Sequence, residues 1–334
     1  MGTLGGWSKR QKLTINHNKI DDELTDFPVK VIISSDNPIF DVAKNDGSDV
    51  RFTAADGETL LKFEREVHDT TEKIAVYHVK IPSVSSTSDT DFYLYYGNAS
   101  ASDASSPNDV WDSYYKLVMH MGPSLEDSTS NGNDGTNYGS TLGLASDGYY
   151  RIFDGVNDYI TAGNSIPAYS EMTITTFISC ENVSNFRAIL TRNFGGGAQY
   201  GYRINTSAKL DGGICTEIEG FWVSSIGSFL TKTNYVITMK MSVSENNYKV
   251  FSNSTSIATD SLRSFSNDPI TGLLNIGRDN RDEDYFNGTI SEVRISSTAR
   301  SDAWIKATSA SLHDELLTFG DEEPAVTMML AFNF

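Results

Sequence analysis

The feature that most restricts what this 334-residue chain can become is the spacing of its apolar residues. They recur at every second position in short runs, and each run ends in a cluster of Gly, Pro, Asn, Asp or Ser. KLTIN (12–16), FPVKVII (27–33), DVRF (49–52), LKFEREV (61–67), KIAVYHVKI (73–81) and DFYLYY (91–96) open the chain. Between them lie SSDNP, NDGSD, AADGE and PSVSSTSDT. Alternation of this kind sends one face of a strand into a core and the other into water, and the intervening residues are those that turns require. No stretch sustains the three-and-four spacing of a helix. The first hundred residues therefore predict a small antiparallel sandwich. Pro28 cannot donate to a ladder, so its run belongs at a sheet edge or a strand start.

GNASASDASSPNDV (97–110) is small, polar and interrupted by Pro107, and it predicts a domain boundary. WDSYYKLVMHM (111–121) begins a second series: YYRIFD, DYITAG, MTITTFISC, FRAILTR, QYGYRIN, FWVSS, YVITMKMS, YKVFS, LLNIG, TISEVRI and LLTF. So many short strands with one brief helix form the pattern of a two-sheet jelly roll. The helix is expected from FNGTISEVRISSTARSDAWI (286–305). Val293 and Ile295 share one face of a strand, Ser301 can cap, and one or two helical turns begin at Asp302 with Trp304 and Ile305 as their apolar side. The predicted fold class is all-β, with two β-sandwich (jelly-roll) domains in tandem at 1–110 and 111–320 and a short apolar tail at 321–334. The length suffices for two separate cores.

Lys and Arg number 26 against 44 Asp and Glu, so the formal charge is 26 − 44 = −18, spread along the chain. A surface of that sign repels phosphates, which argues against nucleic acid as a partner. No run approaches the roughly 20 apolar residues of a membrane span, so no membrane insertion is expected. MGTLGGWSKR lacks the apolar segment of a signal peptide, and synthesis without a secretion address is expected. Cys180 and Cys215 are too few for a disulfide framework. Both fall in strand segments, so a bridge is geometrically open, but buried thiols are the favoured reading.

DSTSNGNDGT (127–136), RIFDGVNDYI (151–160), MTITTFIS (172–179), LNIGR (274–278) and the 286–305 stretch follow one another in a familiar order. In this, residues 115–320 resemble the laminin-G-like, concanavalin A-like lectin/glucanase jelly-roll family. That family often carries Asp-Glu-Val in its penultimate strand, where this chain has Ser291, Glu292 and Val293. Trp7, DGSDVRF (46–52), DGETLL (56–61), VKIPSV (79–84), FYLYYGNASA (92–101) and VWD (110–112) resemble the domain of unknown function 2341 family, which often precedes such a jelly roll. The second resemblance implies a sandwich and no reaction. The first implies one structural calcium at the rim, with Asp127 and, less directly, Asp154 as matching ligands. An Asp in such a loop is equally a turn residue bonding its own backbone, and both roles stand.

No catalytic constellation is legible, and no enzymatic activity is expected. Glucanases of this superfamily alternate carboxylates along one strand. The nearest counterpart, Glu64, Glu66 and Asp69 in KFEREVHD, lies in the wrong domain with Arg65 between the glutamates, and reads as a solvated strand face. RDEDY (281–285) reads as an exposed turn. His17, His68, His78, His120 and His313 form no zinc-ligand pair, and His120 between Met119 and Met121 reads as a satisfied core histidine. Sugar binding needs aromatic platforms; Tyr200 and Tyr202 on one strand face, Trp222 on a second strand and Tyr285 in a loop are candidates, with core packing as the alternative. The leading expectation is a bacteriophage virion protein, a tail or head fibre component or surface decoration, presenting a lectin-like domain to host glycans. The alternatives are an extracellular adhesin whose leader was removed and a glycan-active hydrolase. In the tail, Val326, Met329, Leu330, Phe332 and Phe334 are expected to dock on another copy or another virion protein, making an oligomer.

Overall fold

The computed structural model describes residues 2–163, 166–192, 199–215, 221–261, 272–279 and 283–325. The chain forms two units. The first comprises Met1–Asp112, Ala145–Gly148 and Lys306–Phe334, the second Ser113–Leu144 and Tyr149–Ile305.

In the first unit a four-stranded sheet runs in the order Leu317–Pro324, Lys9–Ile15, Thr90–Tyr96, Arg51–Ala54. A three-stranded sheet runs Leu24–Ile33, Ile74–Val84, Phe63–Asp69. Every pairing is antiparallel. All six runs named from the first hundred residues are strands, and Pro28 sits opposite Lys80 in an edge strand, as its missing N–H requires. The sheets meet through Phe52, whose ring lies edge-on to those of Phe63 and Tyr77 with centroids 5.4 Å apart in both cases. The DGSDVRF motif works through Asp49. Its buried carboxylate accepts Lys44 N at 2.9 Å, Gly97 N at 2.8 Å and Asn98 N at 3.0 Å, while its carbonyl accepts Trp7 Nε1 at 2.6 Å. Three separated segments are tied to one residue.

Glu64 and Glu66 are not the solvated face that alternation predicts. Glu64 is buried and accepts Trp111 Nε1 at 2.7 Å. The Glu66 carboxylate, also buried, lies 3.0 Å from His78 Nε2 and 3.8 Å from Lys30 Nζ. The cause is cover: Trp111, following the short helix Pro107–Val110, packs its ring 5.5 Å from that of His78 and closes this face of the three-stranded sheet. Asp69 does serve a turn, accepting Thr71 N and Glu72 N.

The largest difference from the expected boundaries is at the C-terminal end. The second domain was expected to reach 320 and the tail to begin at 321. Instead Leu317–Pro324 is one strand of the first unit, paired from Ile15↔Leu317 to Lys9↔Pro324. Lys9 pairs with Glu322, Arg10 with Glu323 at 3.1 Å, and Tyr96 Oη donates to Glu322 at 2.8 Å. Ala325 is buried beside Tyr93 and Tyr95, with Leu4 and Trp7 against them, and its N–H reaches Ser8 O at 3.0 Å. Val326, Met329, Leu330, Phe332 and Phe334 lie outside the described residues.

The second unit pairs two larger antiparallel sheets. One runs Thr255–Asp260, Asn247–Ser252, Asn234–Ser242, Glu171–Cys180, Asn287–Ser296, Gly148–Asp154, Thr141–Ala145, with Tyr115–Met119 also on Asn287–Ser296. The other runs Phe221–Ile226, Leu210–Cys215, Gln199–Ile204, Arg187–Arg192, Leu274–Ile276, Tyr159–Ala162, Gly135–Tyr138. Their inner faces share a core that includes Leu117, Phe153, Ile160, Ile174, Leu190, Met239, Ile276 and Ile295.

The 286–305 stretch behaves as its pattern predicts. Val293 and Ile295 are buried, and Ser301 Oγ accepts Trp304 N at 3.1 Å as the N-cap of a helix, Asp302–Leu312. The helix is longer than the one or two turns expected. Arg300 is held by aromatic rings, its guanidinium carbon 4.6 Å from the Tyr115 centroid and 4.5 Å from that of Trp304. Its N–H donates to Thr173 Oγ1, which itself donates to Thr298 O. His120 is buried, with Nδ1 2.7 Å from Glu292 Oε2, while Glu292 Oε1 takes Arg294 Nε at 2.5 Å. Burial acts against the Arg294 charge, but Glu292 and Tyr115 outweigh it. Cys180 is a free, buried thiol whose pKa burial pushes up to about 12; the Cys215 side chain lies outside the described residues.

Two predictions follow from the first unit. Deleting residues 317–334 strips the ladder from Lys9–Ile15 and should destabilise this unit by on the order of 3 kcal/mol, read as an earlier first transition in urea; an unchanged transition would show that the strand contributes nothing. His68 is buried beside Tyr77, with Nδ1 2.6 Å from Tyr77 Oη, and burial lowers its pKa from 6.5 to about 4. The unfolded chain therefore binds the extra proton first. Stability is present above about pH 6.5 and declines as pH falls towards 4, by up to about 3 kcal/mol. His68→Gln should remove that part of the acid sensitivity, and equal slopes in both proteins would refute it.

Candidate functional site

Alternation along the seven-stranded sheet divides its residues cleanly. Ile160, Ala162, Leu190, Tyr200, Tyr202, Leu274 and Ile276 enter the core, so Tyr159, Thr161, Asn275, Thr191 and Arg203 take the opposite, outer face. Tyr200 and Tyr202, expected as platforms, are each 1% exposed. Their hydroxyls donate to Ile166 O at 2.9 Å and Thr176 Oγ1 at 2.8 Å, which satisfies them inside the sandwich. They are core residues, not surface platforms. The Trp222 side chain lies outside the described residues. Tyr285 is half-buried, and its carbonyl accepts Arg187 Nη1 at 2.9 Å.

What the outer face does present is a stack. Tyr159 and Tyr138 are register partners, their rings 4.4 Å apart and within 9° of parallel. The Tyr159 strand is flanked on its other side by Leu274–Ile276, which leads into Arg278, and the Arg278 guanidinium lies 3.4 Å from the Tyr159 ring centroid. Arg278 is itself anchored, donating Nε–H to Asn275 Oδ1 at 3.0 Å and accepting Thr191 Oγ1 at its carbonyl at 2.8 Å. Tyr138, on the sheet edge, is 43% exposed. The chain turns away directly after it at Gly139, where φ is +94° and an added Cβ would fall 2.1 Å from Asp158 Oδ1. Burial, with the charge of neighbouring Asp154, raises the Asp158 pKa. Further along the face Arg203 lies 3.9 Å over the Phe186 ring and 2.6 Å from Asp284. Asp284, read as part of an exposed turn, is thus held by an ion pair; residues 281 and 282 lie outside the described residues.

The surroundings of Asp127 do not suit a calcium ion. Asp127 is buried, and its oxygens accept Val118 N at 3.1 Å, Thr129 N at 3.0 Å, Thr129 Oγ1 at 2.8 Å and Asn133 N at 2.9 Å. A carboxylate offers about four acceptor positions, and four donors already point at them. Asp127 is the organiser of its loop, the turn role of the two that its sequence left open. Asp154 is likewise a turn residue, its Oδ1 accepting Val156 N at 2.8 Å and Asn157 N at 3.3 Å.

A signal for the stack was present in the sequence. In NDYITA the apolar Ile160 and Ala162 define the inner face, so Tyr159 must point outward. Its partnership with Tyr138 depends on sheet register, which no local pattern states.

Residues 46–138 match the family model described as a domain of unknown function (DUF2341), and residues 154–306 match that of the concanavalin A-like lectin/glucanases superfamily. The two matches fall in the order that the motifs indicate, the uncharacterised family first and the concanavalin A-like superfamily second. The first match runs past Asp112 into the opening strands of the second unit. No curated protein matches the chain. Solved structures of similar fold include the botulinum neurotoxin serotype D binding domain, at 13% identity and a TM-score of 0.48, covering 59% of this chain and 51% of that one. Domain 4 of an extracellular arabinanase from Geobacillus stearothermophilus, in complex with arabinotriose, shows 14% identity and a TM-score of 0.49 over 58% of this chain and 98% of its own. The binding domain of Paraclostridial Mosquitocidal Protein 1 shows 11% and 0.51 over 59% and 52%. The chain spans about half the length of the toxin domains it matches. At these identities the likeness is one of fold.

If Asp127 organises its loop through donors, Asp127→Ala leaves buried N–H groups unpaired and should cost the second unit on the order of 3 kcal/mol, with the same loss in chelator and in added calcium. A melting temperature that rises with calcium in the wild type and not in the variant would restore the metal role.

Proposed function

We propose that this chain is a non-enzymatic glycan-binding protein and that a sugar ring seats on the exposed face of Tyr138. The observation that carries this reading is the three-layer Arg278–Tyr159–Tyr138 stack, which fixes an aromatic ring at the sheet surface before any ligand arrives. Little side-chain entropy remains to be lost on binding, and a flat aromatic face suits the apolar side of a pyranose. Thr136, exposed two residues before Tyr138 on the same edge strand, offers a hydroxyl on the same face. Stacking with a few hydrogen bonds is binding chemistry. The charge of −18 favours neutral over anionic glycans. The lectin superfamily match supports the same reading.

The setting proposed is a bacteriophage virion, as a tail or head fibre component or surface decoration, with a cell-surface adhesin as the second reading. The tandem of sandwiches, an adhesion-type architecture, supports both. Capsid, portal or tail genes beside this one, and the chain in purified particles, would be the expected findings for the first; a secretion or polysaccharide-utilisation cluster would sink it.

On a glycan array the wild type should bind neutral oligosaccharides, and Tyr138→Ala should lose at least about tenfold in affinity. Leu230→Ala, at another exposed apolar position, should bind as wild type does. Equal binding by Tyr138→Ala and wild type would remove the platform from consideration.

A further inference from the structure

From residue 135 to residue 146 the sequence GTNYGSTLGLAS carries no charge, in a chain in which 21% of residues are charged. This one segment supplies an edge strand to each sheet of the second unit, Gly135–Tyr138 to one and Thr141–Ala145 to the other. Edge strands present unpaired N–H and C=O groups and are ordinarily guarded by charge or proline. The other edges of this protein follow that practice, Phe221–Ile226 aside. Leu317–Pro324 carries Asp321, Glu322, Glu323 and Pro324; Leu24–Ile33 carries Asp26 and Pro28; Arg51–Ala54, Phe63–Asp69 and Thr255–Asp260 each carry at least one charge. Thr141–Ala145 has neither safeguard.

Exposed apolar side chains are frequent in the same stretch of sequence. Among the described residues eleven large apolar side chains are exposed, and five of them, Tyr138, Leu142, Leu144, Ile152 and Val156, fall within residues 138–156. Leu142 and Leu144, at 39% and 36% exposed, share one face of the edge strand. Between them Gly143 keeps the other face low, because a Cβ there would fall 2.2 Å from Tyr150 Cζ.

We infer that the Thr141–Ala145 edge is an interface between two copies of this chain, paired antiparallel about Gly143 so that one eight-stranded sheet continues into the other. The segment is suited to meet itself. Centred on Gly143, antiparallel pairing sets Leu142 of each copy against Leu144 of the other, Thr141 against Ala145, and no charge against a charge. Two bodies of −18 each repel over most of their surfaces, so a contact between them needs an uncharged window of this kind. The pairing is isologous and closes at two copies. Backbone bonds supply affinity and the four leucines cover them. So short a strand places the contact at the small end of specific interfaces, with dissociation in the micromolar range.

Sedimentation equilibrium of the full chain from about 1 to 100 µM tests this. The wild type should be a dimer at the upper concentrations. Leu144→Glu sets a carboxylate against the partner's leucine and should weaken dimerisation at least tenfold with an unchanged melting curve. The double variant Leu142→Lys/Leu144→Glu opposes unlike charges across the two-fold and should recover the dimer. Deleting residues 326–334 should leave it intact. A monomer at 100 µM overturns the inference and leaves this edge to a different protein. A dimer indifferent to Leu144→Glu, or lost with residues 326–334, overturns it as well, and so does failure of the double variant to rescue.

Discussion

The ladder between Lys9–Ile15 and Leu317–Pro324 is the constraint around which this chain is arranged. It joins residues about three hundred positions apart, so the first unit cannot complete its four-stranded sheet until nearly the whole chain is present. The second unit is accordingly an insertion, running from Ser113 to Ile305 between two segments of the first apart from the Ala145–Gly148 turn. The ion pairs Lys9–Glu322 and Arg10–Glu323 and the seat of Ala325 beside Tyr93 and Tyr95 fix the register of that closure. Loop closure over such a distance costs entropy that only finished contacts return. The second unit closes a long loop of its own, pairing Tyr115–Met119 with Asn287–Ser296.

How far the sequence can be read follows from what alternation encodes. A run such as KIAVYHVKI states that it is a strand and which side is apolar, and every such run in the first hundred residues is a strand. Ser301 before Asp302 stated a helix start, and the cap is there. Alternation does not state which strand pairs with which, so LLTF read as the last strand of the second domain when it closes the first. Nor does it state what covers the far face. Glu64 and Glu66 occupy the polar side of their strand as the pattern requires, and Trp111 then buries that side. A polar face is legible; whether water reaches it depends on tertiary cover.

The candidate site shows the same division. Two tyrosines on one face of a strand make a platform or a core according to which face it is, and Gly201 between Tyr200 and Tyr202 offers no apolar residue to mark the opposite side. In DYITAG the apolar Ile160 and Ala162 do mark it, and Tyr159 lies opposite them. Tyr138 and Arg278 come from other strands and reach Tyr159 only through register. For Asp127 the sequence held two roles open because ligand and turn aspartates occupy the same kind of loop; the donors aimed at its oxygens decide between them.

The departure at Ser291 has a structural reason of its own. Opposite Phe177 and Ile178 the ladder shifts from Glu292 to Ile290, which leaves Ser291 as the extra residue of a β-bulge. Its hydroxyl donates towards Phe177 O at 3.4 Å, which a carboxylate, having only acceptors, could not do. The bulge also decides what comes next. It sets Glu292 on the face opposite Val293 and Ile295, where its two oxygens meet His120 and Arg294 in a buried charged group. A one-residue slip of this strand would carry Glu292 and Arg294 together to the other face and take Glu292 away from His120, a loss of several kcal/mol. The buried contact of His120 with Glu292 therefore helps to fix the register of Asn287–Ser296 against Tyr115–Met119.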